Sequence, residues 1–236
     1  MKPKYLIFDV DNTLLDFGAV FYRGQEAAAK LLGLPCTAEF RALDEKCGWR
    51  AWKECRLDDT HLEEVQQHYH EYYYQYVKNH YVYLLENLGL SFDVELLTQN
   101  YLDCAAAIST PMEEDALQVY SALAERYSLA IATNGTEIMQ ISRLWDYLPH
   151  TKAVFISERV GQIKPTAAFF DHMLHSLSCD PADCLMIGDS LSNDILGAQQ
   201  VGMKTCYYNP RGKAISPEIK PDYEIQNLRQ LLTLLP

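Results

Sequence analysis

The sequence predicts an α/β protein: a doubly wound parallel sheet carrying an inserted all-helical domain. Three observations lead there. Short runs that are apolar on both faces recur at residues 5–10, 129–133, 153–157, 184–188 and 205–208, as in strands buried inside a parallel sheet. Amphipathic stretches of helix length separate the later runs, giving the strand–helix alternation of a doubly wound fold. Residues 18–108 break that alternation and contain no convincing strand.

The elements follow in order. The first strand, 5–10, leads into Asp9-Val10-Asp11-Asn12-Thr13. Helical stretches come next, near 19–33, 38–56, 60–79 and 92–107. The expected organisation is therefore an α/β core of residues 1–17 and 109–236 with a helical cap over 18–108. Chain reversals at Phe17-Gly18 and Thr110-Pro111 would be the hinges. Residues 113–127 then place Ala116, Val119, Tyr120, Leu123 and Tyr127 on one helix face. A helix over 166–177 opens after Pro165, a residue suited to helix starts.

Composition excludes several classes. The 236 residues include 20 Lys+Arg and 32 Asp+Glu, a formal charge of −12, which opposes binding to a nucleic-acid polymer or an anionic membrane surface. The charge is unsegregated, since residues 18–108 and the remainder each carry −6. No apolar run approaches the roughly 20 residues of a membrane span. Asp9 and Asp11 interrupt the first apolar run and no small-residue cleavage site follows, against a secretory signal. Seven cysteines without a C-x-x-C pair read as reduced thiols of a cytoplasmic protein.

Ligands of an open α/β sheet bind beyond the carboxyl ends of its strands. The ends of the predicted strands carry Asp9 and Asp11, then Thr133-Asn134-Gly135, then Ser157-Glu158 with Lys164-Pro165 shortly after, then Gly188-Asp189-Ser190 with Asp194. Asp9 and Asp11 are two apart, so an extended strand would aim both to one side. Crowded carboxylates repel unless a cation intervenes, and with Asp189 they form an oxygen cluster suited to Mg²⁺. Lys164, the Thr133 hydroxyl and the N–H groups of the Asn134-Gly135 turn would bind an anion. Metal, lysine and N–H donors around a carboxylate make a phosphoryl-transfer site.

FDVDNT, ATNG, IKP and IGDSLSND, in that order, resemble the four motifs of the haloacid dehalogenase (HAD) superfamily of aspartyl-phosphate phosphatases, with its Rossmann-like core. The resemblance spans the chain and implies a role for each matching residue. Asp9 would be the nucleophile and Asp11 the general acid and then base. Thr133 and Lys164 would hold the phosphoryl oxygens, with Asn12, Asn134 and Gly135 beside them. Mg²⁺ would be bound by Asp9, the backbone carbonyl of Asp11, and Asp189. Asp194, flanked by Ser190 and Asn193, would orient the metal's waters or Lys164. Asp11 argues against a dehalogenase, which needs no proton donor to a leaving alkoxide.

ATNG, VFISERVGQIKP, MIGDSLSNDILGA and a helical insertion containing Trp52 resemble the pyrimidine 5′-nucleotidase branch. This implies a small phosphorylated metabolite, a nucleoside 5′-monophosphate, as partner. Arg56-Leu57-Asp58-Asp59-Thr60 departs from the glycine-bearing turn expected there. A sugar-phosphate mutase, a phospho-aspartate receiver domain and a silent nucleotide-binding module remain alternatives. Within 18–108, Tyr69, Tyr72, Tyr73, Tyr74, Tyr76, Trp49 and Trp52 read as packing residues or as a stacking platform for a base. Arg23, Arg50 and Arg56 are candidate substrate contacts. His61, His68, His70 and His80 match no metal spacing.

Overall fold

The structure, a computed structural model, describes residues 3–215 and 218–235. The chain divides into two compact units, one of Met1–Phe17 with Ser109–Pro236, the other Gly18–Ile108.

The first unit is built on a six-stranded parallel sheet of order β3-β2-β1-β4-β5-β6. Its strands are β1 (Tyr5–Phe8), β2 (Ser128–Thr133), β3 (Ala153–Ile156), β4 (Cys184–Gly188), β5 (Lys204–Tyr208) and β6 (Tyr223–Ile225). Alternate residues feed two cores. Leu6, Phe8, Leu129, Ile131, Leu185 and Ile187 pack with Val119, Tyr120 and Leu123 of a helix on one face. Ile7, Ala130, Ala132 and Met186 pack with Phe169, Phe170, Met173 and Leu174 on the other. Both faces being covered, every central strand reads as an apolar run.

Two expectations are corrected here. The sixth strand, β6, was not anticipated: three residues at the sheet edge carry too little pattern to register. The first strand ends at Phe8 and not at residue 10. Beyond it the Val10 carbonyl accepts from the N–H groups of Leu14 and Leu15, both at 2.9 Å. Asn12 takes a left-handed conformation (φ 61°), which asparagine tolerates. The chain thus turns where an extended strand would have set Asp9 and Asp11 side by side.

The second unit is helical: α1 (Phe17–Leu31, beginning on the last residue of the first unit), α2 (Ala38–Glu54), α3 (Glu63–Leu88) and α4 (Val94–Ala107). Thr37 caps α2 by accepting from the Phe40 N–H, and Asp93 caps α4 by accepting from Glu95 and Leu96. Left-handed Gly89 ends α3. The predicted end near residue 79 falls short, because the buried stripe Val65, Tyr69, Tyr73, Tyr76, His80 continues through Leu84. Non-helical angles at His68 kink α3. Buried His80 shares a 2.9 Å hydrogen bond with Asp44 and so ties α3 to α2.

The first unit's helices are α5 (Ala116–Ala124), α6 (Glu137–Arg143), a single turn α7 (Ser157–Val160), α8 (Ala167–Leu177), α9 (Gly197–Gln200) and α10 (Gln230–Leu234). A π-helical turn over Leu191–Leu196 leads into α9. Among the described residues no helix is long and apolar enough to cross a membrane.

Candidate active site

The carboxyl ends of β1, β2 and β4 bring the site together. Asp9 follows β1 directly, and its N–H donates to the Ile187 carbonyl of β4 at 2.9 Å. Its side chain is 10% exposed and both oxygens are engaged. Lys164 Nζ donates to Oδ1 at 2.7 Å and the Thr13 hydroxyl donates to Oδ2 at 3.2 Å. Thr13 in turn accepts from the Asp189 N–H at 3.1 Å, joining the turn after β1 to the turn after β4.

Lys164 is buried, and its ammonium has three acceptors: Asp9, the Ala132 carbonyl at 2.8 Å, and Asp194 Oδ1 at 2.6 Å. Burial alone would push its pKa down. The facing Asp194 and Asp9 carboxylates outweigh burial and hold it above the usual lysine value. Its position comes from Asn134, whose side chain accepts from the Lys164 N–H at 2.8 Å and donates to the Lys164 carbonyl at 2.9 Å.

Asp194 sits in the π-helical turn. Its Oδ2 accepts from the Ser190 N–H at 3.0 Å, and the Ser190 hydroxyl accepts from the Asn193 N–H at 3.1 Å. Asp194 lies so close over Gly188 that a Cβ there would fall 2.2 Å from Oδ2. Asp9, Asp189 and Asp194 each place a carboxylate oxygen within 4.8 Å of the others, the only such His/Cys/Asp/Glu group among the described residues. Burial, then the charge of Asp9 and of Asp194, raises the Asp189 pKa well above the carboxylate range. Burial raises Asp194 too, against the pull of Lys164.

Asp11 faces elsewhere. Its Oδ1 accepts from Arg143 at 2.6 Å and its Oδ2 from Gln140 at 2.8 Å. Burial raises its pKa, with Arg143 opposing. Thr133 is buried, its hydroxyl 3.3 Å from the Asn134 carbonyl. The Gly135 N–H, expected to be an anion donor, donates to the Ser157 hydroxyl at 2.9 Å. Asn12 lines a cleft of about 160 Å³ with Asp16, Asp189, Tyr207, Arg211 and Lys213.

Four further residues join this cluster: Thr13 and Ser157, which stand in the strand-end stretches but carry no expected role, and Gln140 and Arg143, which no strand end offers. Thr13 lay in plain view inside FDVDNT. Gln140 and Arg143 carried no signal, since two polar residues on a short helix look like a solvated face.

In the helical unit, Arg23 pairs with Glu26, Arg50 with Glu54 and Arg56 with Glu64. Arg50 also stacks over the Tyr83 ring. Tyr69, Tyr73 and Tyr76 are buried, with Tyr76 edge-on to Trp52. The Tyr72 and Tyr74 hydroxyls donate to Glu64 and Glu95.

The sheet, the four strand-end turns and the carboxylate–lysine cluster define a class of protein, and comparison with known proteins agrees. A profile of the haloacid dehalogenase-like hydrolases matches residues 3–202. YfnB of Bacillus subtilis, described as a HAD-hydrolase, is 33% identical over 99% of this chain and 96% of its own. The pyrimidine 5′-nucleotidase PynA of Streptococcus pneumoniae is 30% identical over 100% of this chain and 96% of its own. The magnesium-bound structure of YfnB superposes with a TM-score of 0.84 at 29% identity, covering 100% of this chain and 99% of that one. The L-2-haloacid dehalogenase RSc1362, TM-score 0.76 at 19% identity, shares the fold.

The chain belongs to the haloacid dehalogenase-like hydrolase family. Within that family it is a phosphatase, a hydrolase of phosphoric monoesters.

Proposed function

We propose that the enzyme hydrolyses nucleoside 5′-monophosphates through an aspartyl-phosphate on Asp9. The observation that carries the reading is the buried Lys164 ammonium shared between Asp9 and Asp194 beside Asp189. It leaves one nucleophilic carboxylate flanked by a fixed positive charge, as displacement at a phosphoryl group requires. The substrate class rests on likeness to PynA over the whole chain and on 31% identity to the pyrimidine 5′-nucleotidase YjjG of Escherichia coli over 59% of it.

The donor set fits Mg²⁺: oxygen ligands only, and a like-charge crowding at Asp189 that a hard divalent cation relieves. Asp9 and Asp189 would hold it with the Asp11 carbonyl. Asp194, whose two oxygens already accept from Lys164 and Ser190, would stand behind them. Bound there, the cation would offset charge on the phosphoryl oxygens.

Asp9 attacks phosphorus and the bond to the leaving oxygen breaks. Asp11 gives that oxygen its proton, so the alcohol departs neutral. Water then attacks the aspartyl-phosphate, Asp11 takes the water's proton, and phosphate leaves with Asp9 restored. Lys164 neutralises Asp9 before attack and the phosphoryl oxygens after it.

A phosphate-release screen with Mg²⁺ tests it, using nucleoside monophosphates, sugar phosphates and an aryl phosphate, with Asp9→Asn in parallel. Pyrimidine monophosphates should release phosphate, and the variant should lose about three orders of magnitude or more in rate. Release from sugar phosphates alone would remove the nucleotide. An Asp9→Asn enzyme near wild-type rate would remove the mechanism.

A further inference from the structure

α6 carries two polar residues that are wholly buried, Gln140 and Arg143, each 0% exposed. They sit three apart, so both project from one face of the helix. Both meet the same carboxyl group: Gln140 Nε2 donates to one oxygen of Asp11 and Arg143 to the other. Asp11 itself is not sealed off, since its side chain keeps 23% of its exposure. A mostly buried acid with a quarter or less of its surface open is thus held by two fully buried donors.

The grip is supported from several sides. Gln140 fits only because position 135 has no side chain: a Cβ there would lie 2.7 Å from Gln140 Nε2, and φ +150° disfavours other residues. The same amide also reaches the Asn134 carbonyl at 3.3 Å. Gln140 Oε1 accepts from Arg143 at 3.4 Å, so the two donors are themselves linked. The Arg143 guanidinium lies 5.8 Å from the Phe17 ring centroid, and the Arg143 carbonyl accepts from the Ser109 hydroxyl at 2.6 Å. Phe17 and Ser109 are the residues of the α/β unit at which the helical unit departs and returns.

Burying an arginine and a glutamine is costly unless their hydrogen bonds are made. Anchoring a seven-residue helix would not need either, since apolar side chains of that volume would pack as well. What a glutamine amide and a guanidinium supply together is direction. With one donor on each oxygen, the carboxyl plane is set, and the single charge left after proton donation, shared over both oxygens, meets a donor at each.

We infer that Gln140 and Arg143 are positioning residues for proton transfer by Asp11. They fix the orientation of its carboxyl and stabilise the carboxylate formed when the leaving oxygen takes the proton. The inference rests on the role of Asp11 given above.

The test compares leaving groups. kcat/KM reports steps up to departure of the alcohol, and an alkyl phosphate needs a proton donor where a nitrophenyl phosphate does not. Gln140→Met and Arg143→Lys keep the side-chain volume while removing or misplacing a donor. Each should lower kcat/KM for an alkyl phosphate by about 10²-fold, the usual share of a general acid, and for nitrophenyl phosphate by less than about threefold. KM should stay within about twofold.

Asp11→Asn is run beside them, alone and combined with Gln140→Met. In the Asp11→Asn background Gln140→Met should cost nothing more, because its effect runs through Asp11. Equal losses on both substrates, or additive losses in the double variant, would make the pair structural and overturn the inference. Asp11→Asn without leaving-group dependence would overturn the role of Asp11 itself, and the inference with it. Should Arg143→Lys not fold, Gln140→Met and the double variant decide.

Discussion

Lys164 donates to Asp194 at 2.6 Å, and neither side chain is more than 2% exposed. Together with Asp9 this gives one ammonium between two carboxylates, supported from outside by the Asn134 clamp on the Lys164 backbone. The cluster is structural, since the ammonium permits Asp194 to be buried, and in the proposed mechanism the same charge readies Asp9.

Lys164→Met should therefore damage stability as well as rate. Removing one partner of a buried charged cluster leaves the others uncompensated, at a cost of about 3–5 kcal/mol. Chemical denaturation would show it as a lower midpoint, and phosphate release should be lost in the same variant. An unchanged midpoint would mean that the carboxylates are satisfied without the lysine.

Gly188→Ala is a subtler probe. The added methyl would collide with the Asp194 carboxylate, which must shift away from Lys164. A displacement near 1 Å in such a site costs about 10²-fold in rate. Overpacking of this size costs about 1–3 kcal/mol, so the protein should fold with reduced kcat. Full activity would show that Asp194 can move freely.

Metal should register without turnover. Mg²⁺ at about 100 times its dissociation constant should stabilise the folded protein by about 2.7 kcal/mol, read as a rise in Tm that EDTA abolishes. Asp189→Asn should lose that rise while remaining folded. A Tm rise that survives Asp189→Asn would place the cation elsewhere.

The tyrosines of α3 divide by burial. Tyr76→Ala should lower Tm strongly, by about 3–5 kcal/mol of stability, because it empties a packed site against Trp52. Tyr72→Ala, a partly exposed position, should change stability by about 0.5 kcal/mol or less. The ratio of KM for nucleotide to KM for aryl phosphate should not move in Tyr76→Ala. A selective rise there would make Tyr76 a base-stacking residue.

Much of this protein is legible in its sequence. Apolar runs mark β1 to β5 because a strand covered on both faces must be apolar throughout, and that is a local property. Asp9, Asp11, Lys164, Asp189 and Asp194 could be picked out because each stands just beyond such a run or at a fixed place in a short motif. The starts of α2 and α4 at Thr37 and Asp93 are likewise settled by capping chemistry within a few residues, whereas the end of α3 at Gly89 lies ten residues beyond the expected one.

What the sequence could not reveal depends on distance along the chain. Asp9 and Asp11 are neighbours in sequence, yet the turn after Phe8 directs one to Lys164 and the other to α6. The partners of Asp11 lie 129 and 132 residues away, and no local pattern distinguishes Gln140 and Arg143 from a solvated helix face. Gly135 looked like a turn that offers its N–H to an anion. The fold gives that N–H to Ser157 and uses the missing Cβ to admit Gln140. Hydrophobic period and capping act within a few residues, so sequence determined the elements and the acids at their ends. Which way each acid faces is decided by groups that only the folded sheet brings into range.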